Sequence, residues 1–313
     1  MSKMARRCRR SWYYASNIMR SLMPNWCFRR RLASLLAEAA DRPDVQQRVD
    51  YYLKHDQPFT VGPCARSIAS LRPDGMTTYF FDMRNVARYF SGDLRLSYRF
   101  GDITAVPEVP AFVKSRPIDG DNCNAVLMKL NQIRHFVFVR DRRRFVDKQE
   151  AAVWRGKSMG KPARQDFVSR FRESSLCDVG LIDARLAGQP GHRPFMSIAN
   201  RLAYRYIVSI EGNDVATNLK WIMSSSSLCC MARPRFETWF MEGSLVPDQH
   251  YVLLLDDYSD LEEKVAWYNR HPAAAQAIIT QANTYVDQFR DRHRERLIAL
   301  AVLERYFRLS GQL

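Results

Sequence analysis

The chain is short of the features that mark several large functional classes. No part of its 313 residues forms an uninterrupted apolar run near the 18 or so that a membrane span needs. It has no H-E-x-x-H or H-x-x-x-H pair and no C-x-x-C, which disfavours hydrolytic zinc chemistry. Seven cysteines, an odd number, argue against a disulfide framework. Cys229 and Cys230 sit in the apolar run Leu228–Met231, where they act as small hydrophobes. A reducing cytoplasm is the economical compartment. Gly (13) and Pro (14) are at ordinary levels, so wholesale disorder and collagen-like repeats are excluded.

Acidic residues are also scarce, and unevenly so. Lys plus Arg number 48 against 33 Asp plus Glu, a net +15. Residues 1–31 hold nine basic residues (Lys3, Arg6, Arg7, Arg9, Arg10, Arg20, Arg29, Arg30 and Arg31) and no acid. Residues 129–172 hold thirteen against four. Such patches suit phosphate-bearing partners: nucleic acid, anionic lipid or a sugar nucleotide. The N-terminal stretch has neither the clean apolar core nor the small-residue cleavage site of a secretory signal. Its apolar residues Trp12, Ala15, Ile18, Met19, Leu22, Met23 and Trp26 recur near helical spacing, as in a helix lying in a lipid headgroup layer or packed on the protein body.

Beyond it the pattern predicts helices over Leu32–Lys54, broken at Pro43, and strands at Thr77–Met83 and Leu94–Phe100. A helix capped by Asp121 and running through Leu130 follows, then strands at His135–Arg140 and Ala151–Trp154. Next come a helix near Arg164–Ser174, strands at Val179–Ile182 and Tyr204–Ile210, a helix Asp214–Met223 and the strand Leu228–Met231. A short helix near Phe236–Met241, a strand Tyr251–Leu255, a helix Asp260–His271 and a helical remainder complete the chain. Strands alternating with helices predict an α/β fold with a largely parallel sheet, most clearly after residue 150.

Four segments hold the residue types that chemistry needs. Tyr204–Lys220 reads as strand, turn and helix, its first helical turn offering free backbone N–H groups to a diphosphate. Asn213 or Asp214 equally fits an ordinary N-cap. Trp154-Arg155-Gly156-Lys157-Ser158-Met159-Gly160-Lys161 ends a strand with three cations beside a glycine. It is either a phosphoryl-binding loop, though not a Walker loop, or a mobile basic one. Asp102 follows an apolar strand and Gly101, placed to project into a cleft or to cap a turn. Asp119-Gly120-Asp121 spells a D-x-D that suits Mn²⁺, but turn and cap roles explain both residues. No metal site is expected.

Taken in order, these pieces resemble glycosyltransferase family 90. They are Phe100-Gly101-Asp102 with Val106-Pro107, Lys114-Ser115-Arg116-Pro117-Ile118, Arg134-His135-Phe136, Trp154-Arg155-Gly156, Tyr206 with Glu211-Gly212 and Lys220, and Phe236-Glu237-Thr238-Trp239-Phe240. The segments His250-Tyr251-Val252 and Tyr258-Ser259-Asp260-Leu261 fit as well, and the likeness is closest to the bacterial, lipopolysaccharide-modifying branch.

The resemblance implies a GT-B fold: two Rossmann-like domains facing a central cleft, with a helical C-terminal tail. On that basis residues 1–31 form a basic segment, 32–150 an acceptor-side domain, 151–285 the nucleotide-sugar-binding domain and 286–313 a C-terminal helix. It implies inverting transfer from a UDP-sugar, without metal or other cofactor, to a glycan or glycolipid acceptor such as lipopolysaccharide or capsule. Asp102 falls on the base position. The expected nucleotide-sugar site comprises Arg116, Arg155, Gly156, Lys157, Glu211, Gly212, Asn213, Asp214, Val215, Ala216, Thr217, Asn218, Lys220 and Glu237, the last for the ribose hydroxyls.

One departure is Asn218, where eukaryotic members carry an arginine; Lys220 or Arg155 is the substitute. A base must be ionised yet not neutralised, so Asp102 is expected to have no tight Arg or Lys clamp, with Arg116 orienting it through a shared ligand. The expected location is cytoplasmic, peripheral on the inner face of the membrane through residues 1–31, with no nucleic-acid partner. The alternatives are a basic, non-catalytic nucleic-acid-binding protein and a degenerate transferase that binds nucleotide only.

Overall fold

The computed structural model describes residues 3–73, 75, 77–158 and 160–313; Met159 of the basic loop and the side chains of Lys3 and Arg6 lie outside the described set. The chain forms a mixed α/β fold and divides into two compact units, neither contiguous in sequence. One is built from Arg10–Arg134, Arg235–Gly243 and Phe289–Leu313, the other from Met1–Arg9, His135–Pro234 and Ser244–Gln288.

In the first unit β1 (Arg66–Ser67) pairs antiparallel with β2 (Arg95–Leu96), while β3 (Tyr98–Arg99), β4 (Ala111–Val113) and β6 (Ala125–Leu127) form a small parallel sheet. β5 (Ser115–Pro117) pairs antiparallel with β11 (Phe236–Thr238), which draws the later segment back into this unit. The core is organised around the helix Arg292–Leu309. Its run Leu297–Leu303 is apolar on every side and buried throughout, the pattern of an interior helix. It packs against the helices Leu32–Ala40, Pro43–Tyr52 and Thr77–Ala87.

The second unit is an open five-stranded sheet of β7 (Gln149–Gly156), β8 (Cys177–Leu181), β9 (Tyr204–Val208), β10 (Leu228–Met231) and β12 (Val252–Leu253). All pairings are parallel, in the order β12-β10-β9-β7-β8. In chain order the strands therefore lie 2-1-3-4-5, a doubly wound arrangement. Trp154, Phe167, Phe171, Val179, Tyr206 and Val208 build its core.

The parallel sheet and the helices after residue 260 agree with the sequence pattern; five local expectations do not. Thr77–Ala87 is a helix because Tyr79, Phe80, Met83 and Ala87 fall on one helical face, all buried. Ala125–Leu127 is a strand, since the neighbouring β4 offers it a ladder, and Asp121 caps a turn through the Cys123 N–H at 3.1 Å. The segment expected as the strand His135–Arg140 instead has the short helix Gln132–His135, then chain whose Val139 N–H donates to Ser224 Oγ. The helix expected from Asp214 begins only at Leu219. Phe236–Thr238, expected as a helix, is a strand because β5 supplies its hydrogen-bond partners.

Asp82, on the Thr77–Ala87 helix, is buried and accepts hydrogen bonds from Tyr13 Oη at 2.8 Å and Gln132 N at 2.9 Å. Burial pushes its pKa up to about 7, although those two bonds and Lys129 pull the other way. The folded chain then holds a proton that the unfolded chain releases near pH 4. Stability falls as pH rises between those values, by up to roughly 4 kcal/mol. Chemical denaturation at several pH values should show this loss in the wild type, and Asp82→Asn should remove that slope.

Candidate active site

Both sequence segments expected to hold phosphate lie at the carboxyl ends of strands. The loop Lys157–Lys161 follows β7, and Ser209–Asn218 follows β9. β7 and β9 are neighbours, and the chain leaves them in opposite directions across the sheet, to β8 and to β10. That is the topological switch point, where open parallel sheets leave a ligand crevice.

One side chain spans it. Arg164, in the first turn of the helix Pro162–Phe171, donates from Nη1 to the Lys157 carbonyl at 2.8 Å. It also donates from Nη2 to the Ile210 and Glu211 carbonyls at 3.1 and 3.0 Å. Burial lowers its pKa, with Tyr258 and Asp183 opposing. A Cβ on Gly212 would stand 3.1 Å from Arg164 Nη2, so glycine lets the two loops close on the guanidinium. The sequence reading missed Arg164; its signal is an arginine in the first turn of a helix that follows a basic loop.

The expected site residues do not all turn toward this crevice. Arg155, nearly buried, pairs with Asp178 on β8 and donates to the Asp178 carbonyl at 2.7 Å, while Tyr204 Oη holds the other Asp178 oxygen at 2.6 Å. Gly156 is required by its own neighbour, because a Cβ there would lie 2.4 Å from the Trp154 ring. Lys157 is exposed, as is Asn213. Asp214, Val215, Ala216 and Lys220 are buried, and Gly212 N–H donates to the Asp214 carbonyl at 2.9 Å. Thr217 is half-buried. Asn218 Nδ2 donates to the Val208 carbonyl at 3.0 Å and its Oδ1 accepts from Ser209 Oγ at 3.1 Å, which ties the loop back to its strand.

In the other unit, Arg116 and Glu237 are bonded to each other, Nε to Oε1 at 2.7 Å, across the β5–β11 ladder. Arg116 also donates to the Tyr51, Tyr52 and Ala125 carbonyls, and Tyr51 Oη donates to the second Glu237 oxygen. Asp102 lies just past β3, after Gly101, whose φ of +126° favours glycine. Lys114 Nζ bonds its Oδ1, Tyr79 Oη donates to Oδ1 at 3.2 Å, and Arg134 Nη1 stands 3.5 Å from Oδ2.

The expectation of an unclamped Asp102 is therefore wrong, and Arg116 faces Glu237 instead. The cause is Lys114, only 2% exposed, which needs a counter-charge that Asp102 supplies. Burial raises the Asp102 pKa, but the charge and hydrogen bond of Lys114, with Arg134 and Tyr79, outweigh it, and the net shift is downward. Asp102 is a carboxylate at neutral pH, its side chain 23% exposed. Asp119 and Asp121 belong to no cluster; among the described residues no group of three or more His, Cys, Asp or Glu is placed to hold an ion.

The structure thus defines an α/β protein with two loops joined by an arginine at the switch point of a parallel sheet and an ionised carboxylate at a strand end. The profile of Glycosyl transferase family 90 matches residues 122–308. The chain is 44% identical to O-glucosyltransferase LpsA of Dichelobacter nodosus over 97% of this chain and 98% of that protein. It is 26% identical to Protein O-glucosyltransferase 3 of Homo sapiens over 52% of this chain and 32% of that protein. A similar match, 26% identity over 43% of this chain and 27% of the relative, is to the Rattus norvegicus protein of the same description. The chain belongs to glycosyl transferase family 90, and it is a glycosyltransferase.

The geometry puts Arg164, rather than the Arg155 that the sequence pointed to, between the two loops. A nucleoside diphosphate bound at these loops would lose roughly tenfold or more in affinity on Arg164→Ala, since a charge-assisted contact is worth about 1.5–3 kcal/mol. Arg155→Ala should chiefly lower the melting temperature, because it strands the half-buried Asp178. Calorimetric titration with UDP, run beside thermal unfolding of both variants, checks this division.

Proposed function

We propose that the chain transfers a glucosyl group from a UDP-sugar to a hydroxyl of a glycan or glycolipid acceptor of the lipopolysaccharide or capsule kind, with inversion and without a metal ion. It works in the cytoplasm at the inner face of the membrane. The GT-B arrangement belongs to the same reading: the five-stranded unit takes the donor and the other unit supplies the base. The glucosyl assignment draws on the bacterial relative, whose name is O-glucosyltransferase and whose length this chain spans. The observation that carries the mechanism is Asp102, ionised and partly accessible at a strand end.

In this reading Asp102 accepts the proton of the acceptor hydroxyl as that oxygen forms its bond to the anomeric carbon. The bond to the UDP oxygen breaks on the opposite face, and the diphosphate leaves with the electron pair. The departing charge meets backbone N–H groups of the loops after β7 and β9 and the Arg164 guanidinium, dipoles and charge already in place. Lys114 makes Asp102 a weak base that is fully available. A loose, oxocarbenium-like transition state tolerates this, because the proton moves late, once bond formation has acidified the hydroxyl.

Asp102→Asn should fold and bind the UDP-sugar yet lose roughly 10²–10⁴-fold in transfer rate. Lys114→Met removes the charge that lowers the Asp102 pKa, so the acid limb of the kcat/KM profile should move to higher pH. Near-wild-type turnover by Asp102→Asn would assign the base to another carboxylate. Transfer should also survive EDTA undiminished; loss on chelation with recovery in Mn²⁺ would overturn the metal-free reading.

A further inference from the structure

The latter part of the helix Lys3–Leu22 is attached to its unit by the side that a globular surface normally exposes. From Arg10 onward its inward face is polar. Tyr13 donates to Asp82 and to the Thr78 carbonyl at 3.0 Å, Asn17 Oδ1 accepts from Asn85 at 2.7 Å, and Ser21 accepts from Arg84. Arg88 closes the end, donating to the Arg20 and Met23 carbonyls at 2.6 Å each.

The apolar residues are left outside. Trp12, Ile18, Met19 and Leu22 are exposed on the helix, as are Met23 and Trp26 beyond it; Trp12 is 69% and Leu22 81% exposed. On helical spacing Trp12, Met19 and Leu22 share one stripe, opposite the polar contacts of Tyr13 and Asn17. An amphipathic helix that only packed on the body would turn this stripe inward. Here the hydrogen bonds fix the opposite orientation, and the apolar stripe of the helix faces out, with Trp26 exposed a turn beyond it.

We propose that residues 10–31 are a docking surface for an anionic lipid bilayer. This deepens the membrane-surface part of the function proposed above and stands apart from its donor chemistry. Charge selects the occupant. Arg20, Arg29, Arg30 and Arg31 are exposed at the end of the helix and just beyond it, and residues 1–31 contain no acid. A second copy of the chain seated on the same face in a twofold contact would bring these cations together, whereas anionic headgroups neutralise them. Tryptophan rings favour the headgroup level, and the leucine and methionine side chains reach the acyl boundary below it. Among the described residues no helix is long and apolar enough to cross a membrane, so the contact lies in the plane of the surface. Such a surface holds the site near acceptors that are themselves lipid-anchored.

The test uses the full-length chain in sedimentation with vesicles of phosphatidylglycerol and phosphatidylethanolamine, and with phosphatidylcholine vesicles as the uncharged control. The wild type should pellet with the anionic vesicles and stay free of the neutral ones. The triple variant Trp12→Ser, Met19→Ser, Leu22→Ser, and separately Arg30→Gln with Arg31→Gln, should each lower the partition coefficient by roughly tenfold or more. All of these residues are exposed, so both variants should keep wild-type melting temperature and UDP affinity. Failure of the wild type to bind anionic vesicles, equal binding to both lipids, or undiminished binding by the triple variant overturns the proposal. So does a wild-type dimer in sedimentation velocity that the triple variant converts to monomer, which would assign the face to a second copy. UDP affinity is measured in the same preparations, so loss of vesicle binding with intact nucleotide binding leaves the transferase reading standing.

Discussion

The Arg116–Glu237 pair joins residues 121 positions apart, and neither side chain is open to water. A buried charge is tolerable only with a partner and a full set of hydrogen bonds. That requirement holds much of this arginine-rich chain together. Glu295, on the interior helix, is met by Arg48 and Lys129 at 2.6 Å each and by Trp239 Nε1 at 2.7 Å. Tyr52 stacks on Trp239 at 3.9 Å between ring centroids and donates to the Trp239 carbonyl. These contacts pull Arg235–Gly243 and the C-terminal helix into the unit that begins near the N-terminus. The pairing costs desolvation and gives specificity of connection: a segment carrying Glu237 has few other places to go.

The same requirement shapes the chemistry. Lys114 is buried and Asp102 is its counter-charge, so the carboxylate proposed as the base is ionised and electrostatically held. Carbonyls at the ends of β7 and β9 have no strand to bond, and Arg164 satisfies three of them at once. A guanidinium placed this way fixes two loops and puts positive charge at the switch point. In the proposed mechanism the same residue meets the departing charge, whereas Arg155, closer to the sheet, pairs with Asp178.

Periodicity made the sequence most legible where the environment is uniform. Leu228–Met231 and the helices Leu261–Arg270 and Arg292–Leu309 need only a core to bury against, and local pattern describes that need fully. It misled where a partner decides the outcome. Val126 and Leu127 suit helix or strand, and the presence of β4 alongside settles the matter. Phe236–Thr238 became a strand because β5 was available.

The sequence alone determined the α/β alternation, the family, the basic N-terminal segment and the two loops that meet at the switch point. Each depends on residue types and spacings along the chain. Only the tertiary structure decided that Asp102 is clamped by Lys114, that Arg116 and Glu237 serve each other, and that Arg164 joins the two loops at the switch point. It also decided that the N-terminal helix turns its apolar stripe outward. A charged side chain has many candidate partners in a chain with 48 basic and 33 acidic residues. Which of them it meets is fixed by the packing of segments far apart in sequence, and that is information no local spacing carries.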